Sequence, residues 1–265
     1  MKNFTKEIIF IFITFGFSWI VWLPLVINHN FGTDYPTLPY AHFLGAFGPL
    51  FGAICMSFLQ KDFNIATKFK FSLPLRAYFW GILSPVLLAF AGYIIFSATN
   101  GQLMSLSGLG QNEFINSSNF FIILMIWIFT FGLGEEAGWR GYLLPSLYKK
   151  LKPNLAFLTV GVIWILWHIL VFLYHPPYIA MLGPALLGWA FSILCGSFFL
   201  GWLAKISNWS IIPVILWHGI FNTFTSSTYS DGLIPGIMST FVIIFAILIP
   251  IFLKNDLLVK KAKIN

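Results

Sequence analysis

Charged residues are scarce in this sequence, and their scarcity decides the class of protein. Asp, Glu, Lys and Arg together make up 9% of the 265 residues, whereas hydrophobic residues make up 58%. A soluble domain carries about 25% charged residues, and no stretch of this chain is polar enough to fold as a domain in water. The composition therefore excludes a soluble enzyme or binding module and predicts an integral membrane protein.

Cysteine is also rare. The chain has two cysteines, Cys55 and Cys195, which both lie in apolar runs and follow no disulfide or metal-site spacing. We interpret both as small buried hydrophobic residues. The sequence also lacks the H-E-x-x-H motif of many zinc proteases. A disulfide framework and a cysteine-based zinc site are therefore not expected.

Long apolar stretches are abundant. A helix needs about 20 mostly apolar residues to cross a bilayer, and eight stretches qualify: residues 8–27, 41–60, 77–98, 119–147, 155–173, 179–203, 209–228 and 236–253. Gly183, Pro184 and Pro213 interrupt the sixth and seventh. We predict an all-α, polytopic membrane helix bundle with about eight transmembrane helices. Residues 1–265 would form a single membrane domain.

The basic residues alternate along the chain. Lysine and arginine lie before the first stretch, in every second loop and after the last stretch, whereas the other loops hold Asp34, Glu113 and Asp231. This pattern predicts that both termini lie in the cytoplasm. It also explains the net charge of +7 by membrane topology, so the expected partner is a lipid bilayer and not nucleic acid. The richness in Ile, Phe, Asn and Lys is typical of AT-rich bacterial genomes, which suggests a bacterial plasma membrane.

The segment GEEAGWR places Glu135, Glu136 and Arg140 inside the fourth apolar stretch. A charged residue at the bilayer centre costs about 2.5–3.5 kcal/mol. Glu136 and Arg140 are four residues apart and share a helix face, so they can pair. Glu135 points about 100° away from Glu136 and lacks a counter-ion on its own helix. We predict that Glu136 and Arg140 support the site, whereas Glu135 acts as a general base or acid. Alternatively, all three residues form a network that locks the helices together.

Two histidines lie at a matching depth. His168 is in the fifth stretch, and His218 is in the seventh, one helical turn before Asn222. Glu135, His168 and His218 lie 14, 16 and 13 residues from Lys149, Lys152 and Lys205, respectively, or roughly 20–24 Å along their helices. We expect the three side chains to meet inside the bundle. The remaining histidines, His29, His42 and His175, are assigned to surface or interfacial positions without a chemical role.

Two kinds of chemistry fit these residues. Glu135 and His168 can activate a water molecule for attack on a carbonyl, while His218 and Asn222 donate hydrogen bonds to the oxyanion. Alternatively, Glu135, His168 and His218 hold a divalent metal such as zinc. The residues alone predict a polar, hydrolytic intramembrane site and leave the need for a metal open.

Three motifs resemble those of one family. Residues 135–140, EEAGWR, fit the E-E-x-x-x-R motif of the CAAX protease and bacteriocin-processing family of intramembrane proteases, also called the Abi or Rce1-like family. Trp164 and His168 resemble its aromatic-x-x-x-His motif, with Trp where Phe is usual, and His218 and Asn222 resemble its His-x-x-x-Asn motif. The resemblance covers residues 119–226, which are the expected catalytic core. It implies a membrane endopeptidase that opens toward the cytoplasm, with Glu135 and His168 activating water and His218 and Asn222 stabilising the oxyanion.

The substrate is less defined. The resemblance implies a protein or peptide that is cleaved near its C-terminus or close to the membrane, because some relatives trim prenylated C-termini and others process bacterial peptides. A non-enzymatic protein of the same fold, which confers bacteriocin immunity or binds a partner, is the main alternative. A proton-coupled transporter that uses the same ionisable groups is a third, although no inverted repeat is apparent.

Overall fold

The computed structural model describes residues 3–101, 109–111, 115, 117, 119–226 and 233–252. Part of the predicted orientation rests on residues outside these ranges, namely Lys2, Glu113, Asp231 and the lysines after the last span. Every helical or extended segment of more than one residue in the described ranges is a helix. The predicted all-α class is therefore confirmed.

Eight longer helices form the bundle in the described part of the chain. They are α1 (Thr5–Phe31), α2 (Ala41–Leu59), α3 (Leu75–Asn100), α4 (Phe120–Lys150), α5 (Pro153–Leu173), α6 (Pro184–Ile206), α7 (Ile212–Thr225) and α8 (Leu233–Phe252). The first six are long and apolar enough to cross a membrane. Large apolar side chains stay exposed on them, such as Phe12 and Ile20 of α1 at 75% and 74%, as expected for a surface in lipid. The structure thus gives six candidate spans, and the count of eight stays a prediction.

The prolines that interrupt the sixth and seventh apolar stretches lie in the first turns of α6 and α7. The sixth span was expected from residue 179, but α6 begins at Pro184, directly after Gly183 with a φ of 114°. Pro213 is the second residue of α7. Proline fits the first turn of a helix because the backbone N–H groups there have no intrahelical partner. Residues Pro176–Ile179 form a separate single turn.

Helix α4 lies in close backbone contact with α2 and α7. A Cβ added at Gly134 would lie 2.7 Å from the carbonyl oxygen of Ala46, and one added at Gly219 would lie 2.5 Å from the Cα of Ile128. Small residues allow such close approach between membrane helices. These contacts fix α4, which carries the Glu-Glu-Arg segment, between its two neighbours.

The assignment of His42 and His175 to the surface was wrong, whereas His29 is indeed exposed. His42 and His175 are 8% and 7% exposed. Their ring centroids lie 4.6 Å apart, and His42 Nδ1 lies 2.8 Å from the Tyr174 hydroxyl. Burial lowers the pKa of His175 to about 4. The chain after α5 folds back onto the start of α2, which the spacing of the histidines did not reveal.

A buried carboxylate that the sequence analysis missed joins α1 to α4. Glu7 lies 2.6 Å from Lys150 Nζ, and its side chain is 3% exposed. Ser146 also donates a hydrogen bond to Glu7 Oε1. Cys195 is buried, as the sequence indicates, whereas Cys55 is only half-buried.

We expect Glu7→Gln to destabilise the protein by about 1–3 kcal/mol, because a charge-assisted hydrogen bond is lost and Lys150 keeps its charge. The nearby exposed pair between Lys6 and Asp62 provides a control, since Asp62→Asn should cost less than about 1 kcal/mol. Unfolding of the detergent-solubilised variants measures both changes. Equal effects of the two substitutions would contradict a structural role for Glu7.

Candidate active site

The acidic pair lies on a short α-helical segment between two wider turns. Residues Ile128–Gly132 and Trp139–Leu143 of α4 have π-helical hydrogen bonding, and Leu133–Gly138 between them is α-helical. Such π turns occur frequently at functional sites. Glu135 is 2% exposed, and Glu136 and Arg140 are fully buried. The polar segment therefore faces the interior of the bundle and not lipid.

One carboxylate oxygen of Glu136 accepts hydrogen bonds from both Arg140 and His218. Arg140 Nη1 lies 2.9 Å from Glu136 Oε1, so the predicted pair is present. His218 Nδ1 lies 2.8 Å from the same oxygen. The sequence predicts that His218 lies beside Glu135 and gives no sign of this contact with Glu136. Glu136 thus joins α4 to α7 and offsets the charge of Arg140.

Glu135 has a partner that was not foreseen. The indole Nε1–H of Trp164 donates a hydrogen bond to Glu135 Oε2 over 2.5 Å. The other oxygen, Oε1, forms no hydrogen bond with any residue that the structure describes. A phenylalanine at position 164 would have no N–H to donate, so the exchange of Phe for Trp changes the site's hydrogen bonding.

His168 lies where α5 changes from an α-helix to a 3-10 helix. The α-helical part of α5 ends at Trp167, and His168 begins a 3-10 segment. Its Nδ1 lies 2.7 Å from the carbonyl oxygen of Trp164. A carbonyl can only accept, so Nδ1 carries the hydrogen and Nε2 keeps its lone pair in the neutral ring. His168 can therefore receive a proton at Nε2.

His218 has the same orientation but a different acceptor. Its Nδ1 donates to the Glu136 carboxylate, which leaves Nε2 free of that contact. The ring packs edge-on against Trp164, with centroids 5.6 Å apart. Asn222 follows one turn later and is half-buried, and its side chain forms no hydrogen bond within the described ranges. Asn222 can offer an amide donor to a ligand, and His218 can donate from Nε2 when its ring carries both protons.

Trp164 and Glu136 connect the predicted site residues. The guanidinium of Arg140 lies 4.5 Å from the centroid of the Trp164 ring, a cation–π geometry. Glu135 and His218 lie within electrostatic range of each other. Among the described residues, Glu135 has no direct hydrogen bond to either histidine. Side chains of α4, α5 and α7 are thus in contact, as expected. The contacts are made through Trp164 and Glu136 and not directly between Glu135 and the two histidines.

Aromatic residues that sequence reasoning missed surround His168. Its ring stacks on Tyr178 at 6.0 Å and meets Trp189 edge-on at 5.4 Å. Tyr178 follows α5 and Trp189 lies on α6, and neither stands in a recognisable motif. They shield one side of His168 from water, and no signal in the sequence singled them out.

The metal alternative fits this arrangement poorly. No group of three or more His, Cys, Asp or Glu side chains is placed to hold a metal ion in the part of the chain that the structure describes. The described residues therefore give the metal alternative no geometric support.

One comparison with known proteins covers the part of the chain that holds this site. Residues 117–224 match the family model described as type II CAAX prenyl endopeptidase Rce1-like. The matched segment contains all three motifs. No curated protein matches the chain. Together with the six apolar helices, the match points to an integral membrane protein. Residues 117–224 thus form an Rce1-like segment, which confirms the resemblance found in the motifs and supports a membrane endopeptidase at the level of the family.

Proposed function

We propose that this protein is an intramembrane endopeptidase that hydrolyses a peptide bond near the C-terminus or the membrane-proximal part of a protein or peptide. The main support for this proposal is that Glu135 and His168 both contact Trp164 and that each keeps one proton-accepting atom without a hydrogen bond in the described part of the chain. Glu135 Oε1 and His168 Nε2 form no hydrogen bond with any described residue, and both side chains are buried. A water molecule between them would have two acceptors for its hydrogens.

The first step is attack by water. Glu135 takes one proton from the water, His168 Nε2 accepts a hydrogen bond from the other O–H, and the oxygen attacks the scissile carbonyl carbon. The tetrahedral intermediate then collapses, the C–N bond breaks, and Glu135 returns the proton to the leaving amine. The products are a carboxylic acid and an amine, and the carboxyl of Glu135 is regenerated in its starting form.

His218 and Asn222 stabilise the oxyanion. Because Nδ1 of His218 donates to Glu136, its Nε2 can donate only when the ring carries both protons. The Glu136 carboxylate favours that imidazolium form. The amide N–H of Asn222 supplies a second donor from the same helix face.

We also propose that residues 119–226 are the catalytic core of a single membrane domain. In this arrangement α7 and α8 join the six candidate spans, both termini are cytoplasmic, and the substrate approaches from that side. The clusters around Lys61 to Arg76 and Lys149 to Lys152 support this orientation through the positive-inside rule. The membrane would be a bacterial plasma membrane.

Replacement of Glu135 tests the proposed base. We expect Glu135→Gln to lower the cleavage of quenched fluorescent peptides by at least about 100-fold, because the amide cannot accept the proton. Asp62→Asn, which removes an exposed carboxylate, should leave cleavage unchanged. Full activity of the Glu135 variant would contradict the proposal. If the wild type cleaves no peptide and the Glu135 variant still confers bacteriocin immunity or binds a partner, the non-enzymatic alternative is favoured.

The pH dependence of cleavage tests the role of His218. We expect kcat/KM to follow a bell-shaped curve, with an acidic limb from protonation of Glu135 and an alkaline limb from loss of the second proton of His218. His218→Gln keeps a neutral N–H donor that does not titrate, so the alkaline limb should disappear and the rate should fall by about 100-fold. An alkaline limb that persists in this variant would contradict the assignment.

Chelation tests the metal-free mechanism. Since no group of three or more His, Cys, Asp or Glu side chains among the described residues is placed to hold a metal ion, we expect purified protein to keep its activity after treatment with EDTA and 1,10-phenanthroline. Elemental analysis of the treated, active protein provides the control. A loss of activity that added zinc restores would show that Glu135, His168 and His218 hold a metal in the working enzyme.

A further inference from the structure

Trp164 contacts four ionisable residues of the candidate site, namely Glu135, Arg140, His168 and His218. Its indole N–H donates to Glu135 Oε2, its ring face lies against Arg140, and its backbone carbonyl accepts from His168 Nδ1. Its ring edge also meets His218. The side chain is 5% exposed. No other described residue joins α4, α5 and α7 in this way.

Two of these contacts do not need tryptophan. Any residue at position 164 offers the backbone carbonyl to His168, and a phenylalanine ring could also lie under Arg140. The hydrogen bond to Glu135 is different, because only the indole supplies an N–H donor at that point. This hydrogen bond therefore exists because the chain has Trp at the position where the motif usually has Phe.

We propose that Trp164 is a positioning residue that fixes the carboxylate of Glu135 through its indole N–H. The hydrogen bond occupies Oε2 and leaves Oε1 directed to the reacting water. This inference rests on the proposed endopeptidase function, in which Glu135 is the base.

The hydrogen bond has two consequences for the base. A donor that faces a carboxylate stabilises the ionised form, which is the form that accepts a proton. It also limits rotation of the side chain, so that Oε1 is held at one position relative to His168. Loss of the donor should impair the chemical step more than the binding of the peptide.

Trp164→Phe tests this inference, since it removes the N–H and keeps an aromatic ring and the backbone carbonyl. We expect kcat to fall about tenfold while KM changes less than about twofold. The acidic limb of the pH profile should move to higher pH by about one unit, because ionisation of Glu135 loses its donor. A purely structural role would lower stability without moving this limb.

Trp127→Phe is the matched control. Trp127 is a buried tryptophan of α4 whose Nε1–H donates to the carbonyl of Gly110 over 3.1 Å, away from the glutamates. This variant loses a buried indole hydrogen bond of the same kind and should keep the wild-type pH profile.

The outcomes separate this inference from the proposed function. If Glu135→Gln abolishes cleavage but Trp164→Phe has the rate and acidic limb of the wild type, the positioning role is wrong and the endopeptidase remains. If Glu135→Gln keeps full activity, the proposed function fails as well. An equal shift of the acidic limb in Trp127→Phe would also overturn the inference, because the effect would then not belong to the contact with Glu135.

Discussion

The ion pair between Glu136 and Arg140 is the constraint on which the rest of the site depends. Both side chains are fully buried, and their closest atoms are 2.9 Å apart. An unpaired charge in a desolvated interior costs several kcal/mol, so neither residue can be buried there without the other. The same Glu136 oxygen also receives His218 Nδ1. The pair therefore both offsets its own burial and fixes the position of α7.

Because Glu136 compensates the charge of Arg140, the neighbouring Glu135 can have a different role. Glu135 has neither Arg140 nor a histidine as a hydrogen-bond partner among the described residues, and its one donor is the neutral indole of Trp164. A neutral donor orients a carboxylate without holding it permanently as an ion. The two adjacent glutamates thus differ in their partners, and this difference separates a supporting carboxylate from the proposed base.

The sequence predicted the helices better than the contacts between their side chains. Hydropathy alone located each helix to within about five residues, because the length of an apolar run reflects bilayer thickness. The Glu136–Arg140 pair followed from helical spacing. By contrast, the Trp164–Glu135 and His218–Glu136 contacts depend on how α4, α5 and α7 are rotated about their axes. The π turns of α4 alter that rotation locally, and periodicity in the sequence does not reveal them. The burial of His42 and His175 was missed for a related reason, since it depends on the path of the chain after α5.

The two histidines show how the acceptor at one nitrogen determines what the other can do. Both direct Nδ1 at a protein oxygen, so neither uses Nε2 for these contacts. For His168 the acceptor is a neutral carbonyl, which fixes the tautomer without favouring an extra proton, and Nε2 is left as a proton acceptor. For His218 the acceptor is a carboxylate, which favours the doubly protonated ring and makes Nε2 a donor. In the proposed mechanism, this difference lets a histidine on α5 support the attacking water and a histidine on α7 support the oxyanion.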